Sequence, residues 1–74
     1  MEEKILFILK KVFCRNDIDW SFCQSNSEEW DSMKQLDIVV ELETEFGISL
    51  EPDEMAEIVD CDSILRMVEK KRDN

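Results

Sequence analysis

The chain has no histidine, one glycine and one proline in 74 residues. So few turn residues leave little of the chemistry that a many-stranded sheet needs, and the fold should be helical. Cysteine is scarce as well. Cys14, Cys23 and Cys61 form an odd set with no CxxC pair, and no histidine is present to complete a zinc site or to activate a thiolate. Free thiols in a reducing cytosol are expected, with the abundant carboxylates raising thiol pKa values and Cys61 in the core. Long apolar runs are missing too. The stretch Ile5 to Leu9 between Lys4 and Lys10 is too short for a signal-peptide core or a membrane span, so a cytoplasmic location and no membrane association are expected.

Basic residues are the last shortage. Nineteen acidic against nine basic residues give a net charge of −10, which repels phosphate backbones and argues against nucleic-acid binding. Residues 28 to 65 hold thirteen acids and a single base, Lys34, a net charge of −12. Basic protein patches are the expected partners.

What is present is helical periodicity. From Glu2 to about Arg15, Ile5, Ile8, Leu9 and Val12 fall at i, i+3, i+4 and i+7, with Leu6, Phe7 and Phe13 widening the stripe. Residues 16 to 31 are rich in Asn, Asp and Ser and carry isolated apolar anchors at Ile18, Trp20, Phe22 and Trp30, the composition of an ordered loop. A second helix is predicted from Ser32 to Phe46, with Leu36, Val39, Leu42 and Phe46 on its buried face and Gly47 as its C-cap. Pro52 can open a short helix running to Val59. Asp60 can cap a last helix in which Cys61, Ile64, Leu65 and Val68 repeat at buried spacing before the basic run Lys70, Lys71, Arg72. The expectation is one all-α domain over residues 1–74, a four-helix bundle of three longer helices and one short one with a long first loop, and a monomer.

The segment Trp30-Asp31-Ser32-Met33, followed by Leu36, Val39, Leu42-Glu43 and Glu45-Phe46-Gly47, resembles the acyl carrier protein family, whose mark is Asp-Ser-Leu opening a helix that ends near Leu-Glu-x-x-Phe. The Trp-Asp-Ser start is similar to a subset of carriers outside primary fatty acid synthesis. The resemblance covers roughly residues 1 to 71. It implies that Ser32 receives phosphopantetheine from coenzyme A through a phosphopantetheinyl transferase. The arm's thiol would then carry acyl groups as thioesters between loading and transferring enzymes, the protein itself catalysing nothing. A helix N-terminus suits a phosphodiester because its free N–H groups and partial positive charge stabilise an anion. Asp31 can cap that helix, or Ser32 and Gln35 can do so if it begins one residue later. Asp37, Glu41 and Glu45 step by four residues beside the attachment point, with Met33 and Val40 as half-exposed apolar contacts for a partner. The chain departs from the family pattern at Glu28-Glu29-Trp30, at Lys34 where an acid is usual, and at Ile64 where a small residue is common. The first two bear on partners, the third on the width of any internal acyl pocket.

Two other classes fit parts of the sequence. Asp17, Asp19, Ser21 and Glu28 match positions 1, 3, 5 and 12 of an EF-hand calcium loop, although Phe22 stands where glycine is needed and Gln24 where an aliphatic residue is usual. The remaining alternative is an unmodified acidic interaction module in which Ser32 only starts a helix.

Overall fold

The computed structural model describes residues 1–72. Among these residues there are four α-helices: α1 over Glu2–Phe13, α2 over Ser32–Phe46, α3 over Pro52–Met55 and α4 over Cys61–Arg72. Helix α1 packs on α2 and α4, and α2 packs on α4. The all-α fold with three longer helices and one short one is as the periodicities require.

In α1 the buried residues are Ile5, Ile8, Leu9 and Phe13. Phe7 is 66% exposed, against expectation. At about 100° per residue it stands about 200° from Ile5 and so points away from the core. The helix also stops earlier than Arg15. Cys14 turns into the left-handed conformation at φ 53, and the N–H groups of Cys14 and Arg15 close on the carbonyls of Lys11 and Lys10.

The connection to α2 is long but pinned. Ile18, Phe22 and Trp30 are buried, and the rings of Phe13, Phe22 and Trp30 form one cluster with centroids 5.0 to 5.8 Å apart. Arg15 donates to both carboxylate oxygens of Asp17 and to Glu29, each at 2.8 Å, and lies over the Phe22 ring. Half-buried Trp20 ties the loop to α4 by donating to Asp62 at 2.8 Å. A short 3-10 turn at Gln24–Asn26 follows an isolated antiparallel bridge between Cys23 and Asp60.

Helix α2 buries Ile38, Val39 and Leu42, with Phe46 half-buried against the core. Leu36, expected inside, is 57% exposed, and Ile38 takes its place. Gly47 ends the helix at φ 64, a conformation in which a Cβ is strained. Helix α3 is shorter than expected, ending at Met55 rather than Val59. Glu57 and Ile58 make tighter three-residue bonds to the carbonyls of Glu54 and Met55, which a continuing α-helix would not form.

Helix α4 buries Cys61, Ile64, Met67 and Val68, with Leu65 half-buried. Asp60 caps it by accepting from the Ser63 N–H at 2.8 Å, while Ser63 Oγ accepts from the Val59 and Asp60 N–H groups. Burial and then neighbouring carboxylates push the Cys61 thiol up to about 11. Among the described residues, no helix is long and apolar enough to cross a membrane.

The short α3 is fastened to α4 by Glu54, which is 7% exposed, accepts from the Glu51 N–H, and pairs with Lys71 at 2.6 Å and Lys70 at 3.5 Å. These partners, Lys71 foremost, hold its carboxyl below the ordinary value of 4.5. A depressed carboxylate lends stability above its unfolded-state pKa and loses it as pH falls through the lower folded-state value. Stability to urea should therefore decline below about pH 4.5, with Asp17, Asp19 and Asp60, also depressed, contributing. Glu54→Gln should narrow the gap between urea midpoints at pH 7 and about pH 3. An unchanged gap would assign the acid sensitivity to the other three carboxylates.

Candidate functional site

Ser32 is the first helical residue of α2 and is exposed. The N-cap is Asp31, with extended backbone and a side chain that accepts from the Lys34 N–H at 2.9 Å. That settles the register. The alternative start, with Gln35 bonding back to Ser32, does not occur, because the Gln35 side chain is engaged elsewhere. As residues N1 and N2, Ser32 and Met33 have no intrahelical acceptor for their N–H groups, which face the same end of the helix as the hydroxyl.

The residue before the cap anchors this end. Trp30 is 3% exposed, and its indole Nε1 donates to Gln35 Oε1. Gln35 Nε2 in turn donates to the carbonyls of Met55 and Ile58, both at 2.7 Å. One indole N–H and two carbonyls fix the amide's orientation, since a flip would oppose donor to donor and acceptor to acceptor. The tripeptide thus divides its work: Trp30 anchors, Asp31 caps and Ser32 is presented outward.

Lys34, where the family pattern has an acid, also has an internal partner. Its Nζ donates to the Val12 carbonyl at 3.2 Å and lies over the Phe13 ring, so the charge sits at the C-terminal, negative end of α1. This base is half-buried and committed within the domain rather than displayed beside Ser32.

Beyond Ser32 the outward face of α2 is apolar and acidic together. Met33 is 75% exposed, more open than the half-exposed contact expected, Val40 is half-exposed at 54%, and Leu36 lies between them. Met33, Leu36, Asp37 and Val40 fall at i, i+3, i+4 and i+7, the spacing of a buried stripe, yet all four face outward. Asp37 stands within this stripe. Glu41 and Glu45 drift toward α1, where Lys11 bonds Glu41 at 3.0 Å and Lys4 lies 3.9 Å from Glu45. The three acids are therefore not one uniform face: Asp37 faces outward and the other two are shared with α1. A shallow groove of about 290 Å³ runs between the helices, lined by Lys11, Val12, Asp37, Val40 and Glu41.

The calcium-loop spacing does not produce a calcium site. Arg15 occupies the Asp17 carboxylate, Ser21 takes Asp19 through its N–H and hydroxyl, and Phe22 turns into the core where a ligand loop needs glycine. Among the described residues, no three His, Cys, Asp or Glu side chains gather as metal ligands. The thiols divide. Cys23 lies 3.1 Å from Ser25 Oγ, and this contact holds its pKa below the ordinary thiol value, contrary to the rise expected from the surrounding carboxylates.

Sequence reasoning missed Leu36 as part of the outward stripe and Gln35 as a link to α3. For the first there was only a partial signal, the shared spacing of Met33, Leu36 and Val40, since spacing does not say which stripe meets the core. The second was not, since nothing in the sequence pairs Gln35 with Met55 and Ile58. No protein-family model matches the chain, and among curated proteins no significant match is found.

Proposed function

We propose that the chain is a carrier protein of the acyl-carrier type, which bears a phosphopantetheine arm on Ser32 and holds acyl groups as thioesters for partner enzymes. The observation that carries this reading is the exposed Ser32 at the start of α2, on an end fixed by the Asp31 cap and buried Trp30, beside the outward stripe of Met33, Leu36 and Val40. In the loading step the Ser32 Oγ attacks the β-phosphorus of coenzyme A. The bond to the nucleotide-side phosphate breaks, 3′,5′-ADP leaves, and the hydroxyl proton passes to a base of the transferase. The new phosphodiester then lies against the free N–H groups and partial positive charge of the helix end. The chain contributes position and nucleophile but no catalytic acid or base, and it acts on no substrate by itself. Incubation with a phosphopantetheinyl transferase and coenzyme A, followed by intact-mass measurement, should add one arm. No mass gain with a transferase of broad specificity would favour an unmodified interaction module.

Asp37 and the neighbouring acids favour basic partner surfaces, and the apolar stripe supplies the contact area that charge alone lacks. Exposed Asp37 and Glu45 are the pair to reverse, because Glu41 is bonded to Lys11 at 3.0 Å, whereas Glu45 meets α1 only through a long 3.9 Å contact with exposed Lys4. Asp37→Lys with Glu45→Lys should slow arm transfer by about tenfold at low salt. Exposed charges are screened over about 8–10 Å at physiological ionic strength, so the gap from wild type should close as salt rises. Equal rates at low salt would leave these acids without a part in recognition.

A further inference from the structure

A hydrocarbon group hung from Ser32 has two environments open to it, water and the core, and the seam between α2 and the end of α3 opens one helical turn from Ser32. Gln35 stands there. It lies one helical turn beyond Ser32, and its amide spans the seam to the carbonyls of Met55 and Ile58 while accepting from Trp30. Beneath it Ile38, Leu42, Ile58 and Ile64 are all 0% exposed, and close-packed residues yield to an inserted group only by strain. Two surface grooves among the described residues lie elsewhere, one between α1 and α2 and the other, of about 250 Å³, along α4 and lined by Glu57, Ser63, Arg66, Met67 and Lys70.

Resting on the reading of Ser32 as the arm's attachment point, we propose that Gln35 locks the α2–α3 seam and keeps the cargo outside the core, which fits the protein to short or polar acyl groups rather than long alkyl chains. Entry would break three hydrogen bonds and leave an indole N–H and two carbonyls unpaired in an apolar setting. Offsetting that loss alone takes roughly four or more buried methylenes, and octanoyl and dodecanoyl chains must in addition displace the close-packed side chains of Ile38, Leu42, Ile58 and Ile64, so that the two costs together keep them out. A short acyl group never reaches that length. A polar one gains nothing by burial.

The test loads wild type with acetyl, octanoyl and dodecanoyl arms, using a transferase and the matching acyl-coenzyme A thioesters, and measures thermal midpoints. Each buried methylene would raise the midpoint by roughly 3–6 °C in a domain of this size. The expected result is midpoints within about 2 °C of one another, with the Trp30 indole N–H resonance unchanged across the series. A midpoint that climbs with chain length in wild type overturns the proposal while leaving the arm on Ser32 intact. Failure to add any arm overturns the carrier reading itself, and this proposal with it. Gln35→Leu keeps the bulk but removes the amide, and is expected to restore a length-dependent midpoint. If that variant folds and its series is also flat, the closure is not due to Gln35. If it does not fold, the wild-type series decides alone.

Discussion

Ser32→Ala is expected to accept no arm at all while keeping its fold. The substitution removes the only group proposed to attack coenzyme A, so the effect on loading is a loss rather than a slowing. Its effect on stability should be small because Asp31, not Ser32, is the N-cap, and alanine is a good residue for the first helical position. Removing an N-cap costs about 0.5–2 kcal/mol, whereas an exposed site such as Ser32 should change stability by no more than about 0.5 kcal/mol. The two measurements are made on the same samples: intact mass after incubation with transferase and coenzyme A, and a urea melt. Equal arm addition to wild type and variant would move the attachment site to another hydroxyl. Loss of loading together with loss of helical circular dichroism would show that the variant had failed as a fold, and Ser32→Asp, which lacks the hydroxyl and suits the first turn of a helix, would then separate nucleophile from structure.

Leu42→Ala should destabilise the domain by about 2–5 kcal/mol, and Leu36→Ala by no more than about 0.5 kcal/mol. Both are leucines on α2, and the sequence alone groups them on one face. Leu42 is 0% exposed in the core, so its truncation leaves a cavity as well as losing transfer free energy. Leu36 faces outward beside Met33 and Val40, so its truncation removes contacts only for a partner. Small domains hold about 5–15 kcal/mol in total, so the first change removes a large share of the stability. Urea melts of the two variants side by side provide the check. Similar losses at both positions would mean that Leu36 is packed in solution, and that the outward stripe is not available for docking.

Periodicity located α1, α2 and α4 because each buries a stripe at helical spacing. Helix α3, which buries only Glu54, was marked by Pro52 at its start, and stop signals such as Gly47 act within a few residues. It failed at Leu36 and Phe7 for a shared reason. Apolar residues recur on both faces of α2 and on the far side of α1, and spacing by itself does not say which stripe meets the core. The Trp-Asp-Ser segment was legible in parts: cap and exposed serine follow from local geometry, whereas the link from Trp30 through Gln35 to Met55 and Ile58 joins residues up to 28 apart in sequence. Lys34 is a similar case, since its acceptor is the Val12 carbonyl, 22 residues away. The calcium-loop spacing is the reverse lesson. Carboxylates at suitable intervals did not converge because Arg15, just past the end of α1, binds Asp17, and Ser21 binds Asp19.

The fastening of Trp30 and Asp31 bears on how far a tethered group can range. If Ser32 carries an arm, its base is a fixed point: the helix end cannot tilt without breaking the Asp31 cap, the Gln35 bonds and the aromatic packing of Trp30 together. All the search volume then belongs to the arm. A group on a short flexible tether meets a docked partner's site at an effective concentration on the order of millimolar, provided the tether spans the distance. With an immobile mount, that concentration depends on tether length and on the distance from Ser32 to the partner's active site. Transfer would therefore be second order only until docking, and independent of the carrier's bulk concentration afterwards.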